Sequence, residues 1–347
     1  MSAPTWPGLL GKLLGGEDLA GEESSWAMDQ VMSGLATPAQ IAGFAIALRA
    51  KGETPEEVGG LAAAMLSHAR RVEVDGQAID IVGTGGDQAA TVNISTMAAI
   101  VTAAAGVPVV KHGARASSSK SGTGDVLEAL GVAIELSPEA VRRCVTELGI
   151  GFCFAPAYHP ALRYTSGPRR ELGVPTAFNF LGPLTNPAQP KYGLIGCANQ
   201  RMAPAMAGVF ARRGAEVLLV RGDDGLDEIT TTTTTAVWIT SGGAVRTDSI
   251  DPSRLGVSPA TPEQLRGGDP EVNAEVVREL VAGRTGPVRD AVLLNAAGAV
   301  AVYRGLGADL HADLAAALDA VADAVDSGAA AALLERWITL SSKLHEA

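Results

Sequence analysis

The chain has 347 residues, 47% hydrophobic and 19% charged, with a formal net charge of -11, an ordinary globular mixture for one large domain or two smaller ones around a sizeable core. That charge repels DNA, RNA and anionic membranes over most of the surface, so an anionic ligand must be met by a local positive site, which suits a small phosphate ester better than a polymer. Only 4% of residues are aromatic, which argues against base-stacking nucleic-acid modules.

The first sixteen residues, MSAPTWPGLLGKLLGG, carry no extended apolar run and no cleavage-like site, so no secretory signal is expected. No apolar segment approaches the roughly twenty residues needed to span a membrane. Cys144, Cys153 and Cys197 are odd in number and form neither CxxC nor a zinc grouping, and they read as core thiols in a reducing cytoplasm. A soluble, cytoplasmic protein is expected.

Up to about Arg71 the pattern is helical. Thr37-Pro38-Ala39-Gln40 and Thr54-Pro55-Glu56-Glu57 each offer a Thr cap, Pro at the first helical position and Gln or Glu to close a capping box, opening helices toward Ala50 and Ala69. Nothing there offers converging catalytic groups, so a packing or dimerisation module is the reading. From Ala78 the texture changes to short apolar strands ending in glycine-rich turns: AIDIV before Gly83, VPVV before Lys111, GFCFA before Pro156 and VLLV before Arg221. Helical stretches over 96–105 and after Ser137-Pro138-Glu139 separate them. Such alternation implies a mostly parallel sheet with helices on both faces, with ligands beyond the carboxyl ends of the strands. Residues 169–187, RRELGVPTAFNFLGPLTNP, read as a crossing between domains, and the run 230–235 as a strand or strand entry. Capped helices follow after Asp269-Pro270 and around Asp290, and an Ala-rich helical pattern runs to about Leu344.

Three stretches carry chemistry. In DIVGTGGD, 80–87, followed by TVNIST, 91–96, the order strand, glycine turn, helix start aims the amides of Gly83, Thr84, Gly85 and Gly86 and the positive end of a helix at one point. Asn93, Ser95 and Thr96 can add side-chain contacts, although GTGG alone is equally a tight turn with an ordinary cap. The second stretch, VVKHGARASSSKSGTGDVLEALG, 109–131, is a polyanion cradle of cations (Lys111, Arg115, Lys120), hydroxyls (Ser117, Ser118, Ser119, Ser121, Thr123) and glycines; a mobile Ser/Gly/Lys linker is the alternative, opposed by the strand before it and the helix after it. The third is RGDDGLDEIT, where Asp223, Asp224, Asp227 and Glu228 cluster after a strand. On charge alone this is a solvated acidic loop. At the end of a sheet strand, with two phosphate loops elsewhere, Asp227 and Glu228 read as ligands of Mg²⁺, a hard cation that takes carboxylate oxygens. His112, His159 and the Arg169-Arg170 pair are weaker candidates, the arginines for a substrate carboxylate. No Walker A loop, Rossmann fingerprint, nucleophile elbow or HExxH occurs, leaving transfer chemistry with a metal-bound polyphosphate as leaving group.

These motifs, in the order AMDQVMSG, DIVGTGGD, NIST, KHGARASSSKSG, GFCFAPAYHPA, RRELGVPTAFNFLGPLTNP, GDDGLDE and GPVRDAVLLNAAG, closely resemble the anthranilate phosphoribosyltransferases of the nucleoside phosphorylase-like phosphoribosyltransferase family. The resemblance implies an α/β fold: a small α-helical domain, 1–75 joined by about 169–190, and a large α/β domain, 76–168 and 191–347, whose mostly parallel central sheet is flanked by helices. It implies a homodimer through the helical domain, transfer of phosphoribosyl from phosphoribosyl pyrophosphate (PRPP) to anthranilate in tryptophan biosynthesis, and two Mg²⁺ ions. Carried over residue by residue, Gly83, Gly86, Asp87, Thr91, Asn93, Ser95, Thr96, Lys111, Ser119 and Thr123 would bind PRPP. Ser95, Asp227 and Glu228 would hold the metal, Lys111, Asp227 and Glu228 would be catalytic, and Gly83, His112, Ala114 and Arg169 would face anthranilate. Two departures stand out: Ala114 replaces the Asn usual in KHGNRA, a contact to the aromatic acceptor, and Tyr158 stands where a His often precedes His159. Ala114 leaves another aryl acceptor open. More distant alternatives are a pyrimidine nucleoside phosphorylase, which needs no Asp-Glu metal pair, and a non-catalytic nucleic-acid-binding relative, which the charge opposes.

Overall fold

The computed structural model describes residues 3–116 and 120–346. The chain opens with helices α1 (Trp6–Leu14), α2 (Gly21–Met32), α3 (Pro38–Lys51) and α4 (Pro55–Ser67). Both expected capping boxes form. Gln40 N–H donates to Thr37 Oγ1 at 3.3 Å and Thr37 N–H to Gln40 Oε1 at 2.9 Å, and the Thr54/Glu57 pair repeats the exchange at 3.2 and 2.8 Å. Glu57 does more than cap. Fully buried, it also accepts the Leu19 N–H at 2.8 Å and pairs with Lys51 Nζ at 2.7 Å, so one carboxylate ties the approach to α2, the end of α3 and the start of α4.

There follow β1 (Ile79–Gly83), α5 (Ile94–Ala104), β2 (Val109–Gly113), α6 (Thr123–Leu130), α7 (Pro138–Leu148), β3 (Ile150–Phe154), the single turn α8 (Ala155–Tyr158), α9 (Arg163–Leu172) and β4 (Tyr192–Gly196). The rest is α10 (Met202–Arg212), β5 (Glu216–Gly222), β6 (Thr235–Ser241), β7 (Ala244–Ile250), α11 (Pro270–Val281), α12 (Pro287–Arg304), α13 (Leu310–Asp326) and α14 (Ala329–His345). Among the described residues the strands make one sheet in the order β3-β2-β1-β4-β5-β6-β7, parallel from β3 to β5, with β6 and β7 added antiparallel. The chain runs outward from β1 to β3 and then returns to lay β4 on the other side of β1. That reversal opens a crevice beyond the carboxyl ends of β1 and β4, where α/β sheets bind ligands. Gly83 and Gly196, the last residues of the two strands, are register partners there.

One hydrophobic core packs α5, α12 and α13 against the sheet; a second joins α1 to α4 with Phe178, Leu181 and Leu184 of the crossing segment, α10, and the Ile195, Val217 and Leu219 side chains of the sheet. The expected strands ending near Gly83, Lys111, Pro156 and Arg221 all form. Their neighbour β4 escapes the alternation rule because two of its five residues, Gly193 and Gly196, carry no side chain. β7 escapes it because it is an edge strand carrying Arg246 and Asp248 on a mostly exposed surface, the charged rim that discourages further pairing. The 230–235 run is a strand entry: β6 begins at Thr235, and the threonines before it form a turn. Residues 169–187 hold more regular structure than expected. α9 runs through Pro168 to Leu172, and two short 3-10 turns follow at Ala177–Asn179 and Gly182–Leu184. The Gly-Pro pair inside α9 reads as a breaker in one dimension. The three cysteines are free and buried, and no helix among the described residues is long and apolar enough to cross a membrane.

Candidate active site

The crevice is built around an acidic side chain that fits because two side chains are missing. Gly83 and Gly196 lack Cβ atoms where the 222–228 loop folds back over the strand ends; a methyl on Gly83 would lie 2.7 Å from Asp227 Cγ, and one on Gly196 2.5 Å from the Asp227 carbonyl carbon. Carbon atoms rest about 3.5–4.0 Å apart, so only glycine admits Asp227 here. Its carboxylate then accepts the Gly85 N–H at 2.6 Å. Gly85 and Gly86 sit at φ +69° and +82°, left-handed conformations that let the turn bring its amides inward.

The four acids of the third stretch divide into two jobs. Asp224 accepts the Thr230 hydroxyl at 2.7 Å and that of Thr232, and Asp223 accepts that of Thr234, bracing the loop. Asp227 and Glu228 instead face the sheet, with Asp87 beside Asp227 and the Ser95 amide directed at Glu228. Burial, and then repulsion from Asp87, pushes the Asp227 carboxyl up to about 7; burial, and then repulsion from Asp227, pushes Glu228 up to about 8. Carboxyls crowded out of water without enough countercharge are a ready place for a divalent cation. Among the described residues no three His, Cys, Asp or Glu side chains close on one point as a complete metal centre. An open pair of carboxylates leaves coordination positions for water and substrate phosphate, as Mg²⁺ requires.

The cations of the loop stand differently from the expected cradle. Lys111 lies on β2, 1% exposed, its ammonium donating to the Ile81 carbonyl and facing Asp80, Glu228 and Asp227; burial lowers its pKa. Arg115 turns to Glu128 and over the Phe154 ring, and Lys120 lies 3.7 Å from Asp269. These two are already paired, so the charge aimed at the crevice comes from Lys111 and backbone amides. Asp125 accepts the amides of Ala116 and Gly122 at 2.7 and 2.8 Å, holding both flanks of 117–119; Ser119 lies outside the described residues.

The hydroxyls of Thr96 and Thr123 meet at 3.2 Å, joining the first turns of α5 and α6. Asn93 donates to the Ser121 carbonyl at 3.1 Å and accepts from Asn273 at 2.8 Å, while Thr91 bridges to Arg266. His112 is buried and held neutral, its pKa lowered to about 3 by burial and by His159; the Gly182 carbonyl 2.9 Å from Nδ1 assigns the proton to that nitrogen and leaves Nε2 without a hydrogen-bond partner among the described residues. Ala114 is exposed and accepts the Gly124 amide. Arg169, on α9, stands apart from this network. It is half-buried, its pKa lowered by burial, and it forms no side-chain hydrogen bond or ion pair among the described residues. Sequence reasoning missed Gly196, which no turn signal marks, and the buried Asp80, which accepts the His112 amide at 3.1 Å and Asn186 Nδ2 at 2.8 Å.

Two models of the glycosyl transferase family match the chain, the helical bundle domain over residues 7–69 and the a/b domain over 75–331. A protein of Saccharopolyspora erythraea named anthranilate phosphoribosyltransferase is 67% identical over 99% of this chain and 97% of its own. The chain belongs to the anthranilate phosphoribosyltransferase family. The family member of Thermus thermophilus superposes with a TM-score of 0.89 at 39% identity, covering 96% of this chain and 99% of that one. The Saccharomyces cerevisiae family member, in complex with PRPP and Mg, gives 0.88 at 28% identity, covering 97% and 98%. The family's fold, a small helical domain beside a large α/β domain, is the architecture described above.

Proposed function

We propose that this chain transfers the 5-phosphoribosyl group of PRPP to the amine of anthranilate, releasing pyrophosphate, with Mg²⁺ as cofactor. The observation that carries the reading is the Asp227-Glu228 pair seated over Gly83 and Gly196 at the sheet reversal, in a chain whose near-full-length relatives bear the name of that activity. Asp227, Glu228 and Ser95 would hold two Mg²⁺ ions, which when bound neutralise pyrophosphate charge and favour its departure. The Gly83–Asp87 turn and the starts of α5 and α6, with Thr91, Asn93, Ser95, Thr96, Ser119 and Thr123, would cradle the phosphates. Lys111 holds one positive charge behind the acids. Arg169, half-buried and without a counter-ion among the described residues, suits the anthranilate carboxylate, with Gly83, His112 and Ala114 lining the acceptor side.

Held opposite the leaving group, the arylamine attacks the anomeric carbon with a free lone pair, so no strong base is required and its proton leaves after the C–N bond forms. Positioning and electrostatics supply the rate. The reading extends to a helical domain of 1–75 joined by about 169–190, an α/β domain of 76–168 and 191–347, a cytoplasmic location, and a homodimer through the helical domain, where Leu14 of α1 and Ile46 of α3 are exposed.

Protein, Mg²⁺ and PRPP mixed with anthranilate should consume the acceptor and release pyrophosphate. No turnover with any aryl amine rules the reaction out. Ala114 favours one second reading, a different aryl acceptor, and faster turnover of a ring-substituted anthranilate than of anthranilate itself would establish it.

A further inference from the structure

A cavity of about 740 Å³ lies at the opposite end of the sheet from the acidic pair, where β4 and β5 begin. Its apolar walls come from Leu66 of α4, Tyr192 of β4, Phe210 of α10 and Val217 of β5. Three cations, Arg71, Lys191 and Arg213, also line it. The Arg71 guanidinium donates to the Gln189 side chain, Arg213 Nη1 to the Leu184 carbonyl at 2.6 Å, and the Lys191 ammonium lies 5.5 Å from the Tyr192 ring centre. Among the described residues none of the three has an ion-pair partner. The acid in the lining, Asp80, is 2% exposed and its oxygens already take the His112 amide and the Asn186 side chain. In a chain of net charge -11, three cations left without acids around one concave apolar surface are a local exception. Burial lowers the Arg213 pKa, the cost of a charge held partly out of water with no anion beside it.

We propose that this cavity is a second ligand site, separate from the phosphoribosyl site, for an amphipathic organic anion: a flat apolar body against Phe210 and Val217, with a carboxylate, sulfonate or phosphate group held by Arg71, Lys191 and Arg213. The volume falls in the range of about 300–1,000 Å³ usual for small-molecule sites. The apolar walls select an organic anion over a bare inorganic one, which gains nothing from them. Guanidinium groups provide paired donors that match two oxygens of one acid. Leu184, Ile195, Phe210 and Val217 belong to the second hydrophobic core, so an occupant extends that core.

The test uses 8-anilinonaphthalene-1-sulfonate, an apolar ring system with one anionic group, titrated into the intact protein and followed by fluorescence. One site per chain is expected. The Arg71→Glu/Lys191→Glu double variant, at two exposed positions, should keep the wild-type melting temperature and weaken binding at least tenfold, while Arg169→Ala leaves it unchanged. N-phenyl-1-naphthylamine, the same rings without the sulfonate, should bind at least tenfold more weakly than the sulfonate. No binding, unchanged affinity in the double variant, loss in Arg169→Ala instead, or equal binding of the neutral probe would each overturn the proposal. The readout is binding rather than turnover, so it stands or falls separately from the reaction assigned above.

Discussion

Replacing Gly83 by alanine tests the packing on which the acidic site rests. The added methyl would sit 2.7 Å from Asp227 Cγ and 3.1 Å from the Asp227 carbonyl oxygen, against a comfortable carbon separation of about 3.5–4.0 Å. The carboxylate must therefore retreat by about 1 Å. Its 2.6 Å bond from the Gly85 amide is then stretched beyond useful length, and hydrogen bonds to charged groups contribute about 1.5–3 kcal/mol. Gly83 has no positive φ, so no backbone strain confuses the result. A 1 Å misplacement near reacting groups costs about 100-fold; turnover should fall by that order and the Mg²⁺ requirement should rise, with melting lowered by roughly 2–4 °C. Gly196→Ala is the harsher neighbour, since its methyl meets the Asp227 carbonyl carbon at 2.5 Å and the carbonyl oxygen closer still, which no rotamer change relieves, and folded protein should be lost. Steady-state rates across a Mg²⁺ titration and a thermal melt decide the matter. Normal turnover with normal Mg²⁺ dependence in Gly83→Ala would show that Asp227 has no part in the site.

Arg169→Ala should raise the KM for anthranilate at least tenfold while leaving that for PRPP within twofold; an unchanged anthranilate KM removes Arg169 from the acceptor site. Glu57→Ala strips a buried carboxylate from Lys51, itself 4% exposed and left with only the solvent-exposed Asp18. Breaking a buried pair costs about 3–5 kcal/mol, so urea unfolding should register a loss of about 3 kcal/mol, and a loss below 1 kcal/mol contradicts the assigned role. The buried histidines and the buried acids should shift the stability of the metal-free protein in opposite directions with pH. His112 and His159 are lowered by burial to about 3 and about 4; their unfolded forms take up protons below about pH 6.5, so the stability they contribute falls as pH drops from 6.5 toward 4, by about 3 kcal/mol for each ring. Asp227 and Glu228 are raised, to about 7 and about 8; their unfolded forms release protons near pH 4, so the stability that their protonated forms retain is lost progressively as pH climbs from about 4 to about 8. Between about pH 4 and 6.5 the two effects oppose each other, so melts in EDTA should show their clear decline from about pH 6.5 to 8, where the acids still titrate and the histidines do not. Added Mg²⁺ should restore the alkaline side and bind more tightly as pH rises; a metal-free protein at its most stable at pH 8 would refute this account of the acids.

The helical entry was legible in sequence because its signals are local. A Thr, a Pro and a Gln or Glu three residues on specify a capping box without reference to anything distant, and both boxes form as the pattern requires. The strand-turn order at 79–87 was equally readable, and the sequence singles out Asp227 and Glu228 as an Asp-Glu pair after a strand, apart from Asp223 and Asp224, which bond the loop threonines. What failed was what depends on partners. Arg115 and Lys120 look like free cations in a loop, yet Glu128 and Asp269 hold them. β4, with glycine at two of five positions, has no hydrophobic alternation to detect; those glycines are small because neighbouring elements crowd them.

By itself, then, the sequence determined the small vocabulary of this protein: helices with their starts, apolar strands ending in glycine turns, an acidic pair, a chain of motifs in family order. These are properties of adjacent residues, set by backbone sterics, capping and charge. Tertiary structure alone decided that β4 returns beside β1, that Gly83 and Gly196 face one another, that Asp227 rather than Asp223 or Asp224 drops between them, and that Arg71, Lys191 and Arg213 gather around one cavity. The physical reason is common to all four: each depends on which surfaces are excluded from water against one another, and residues more than a hundred positions apart share no local interaction that could announce it.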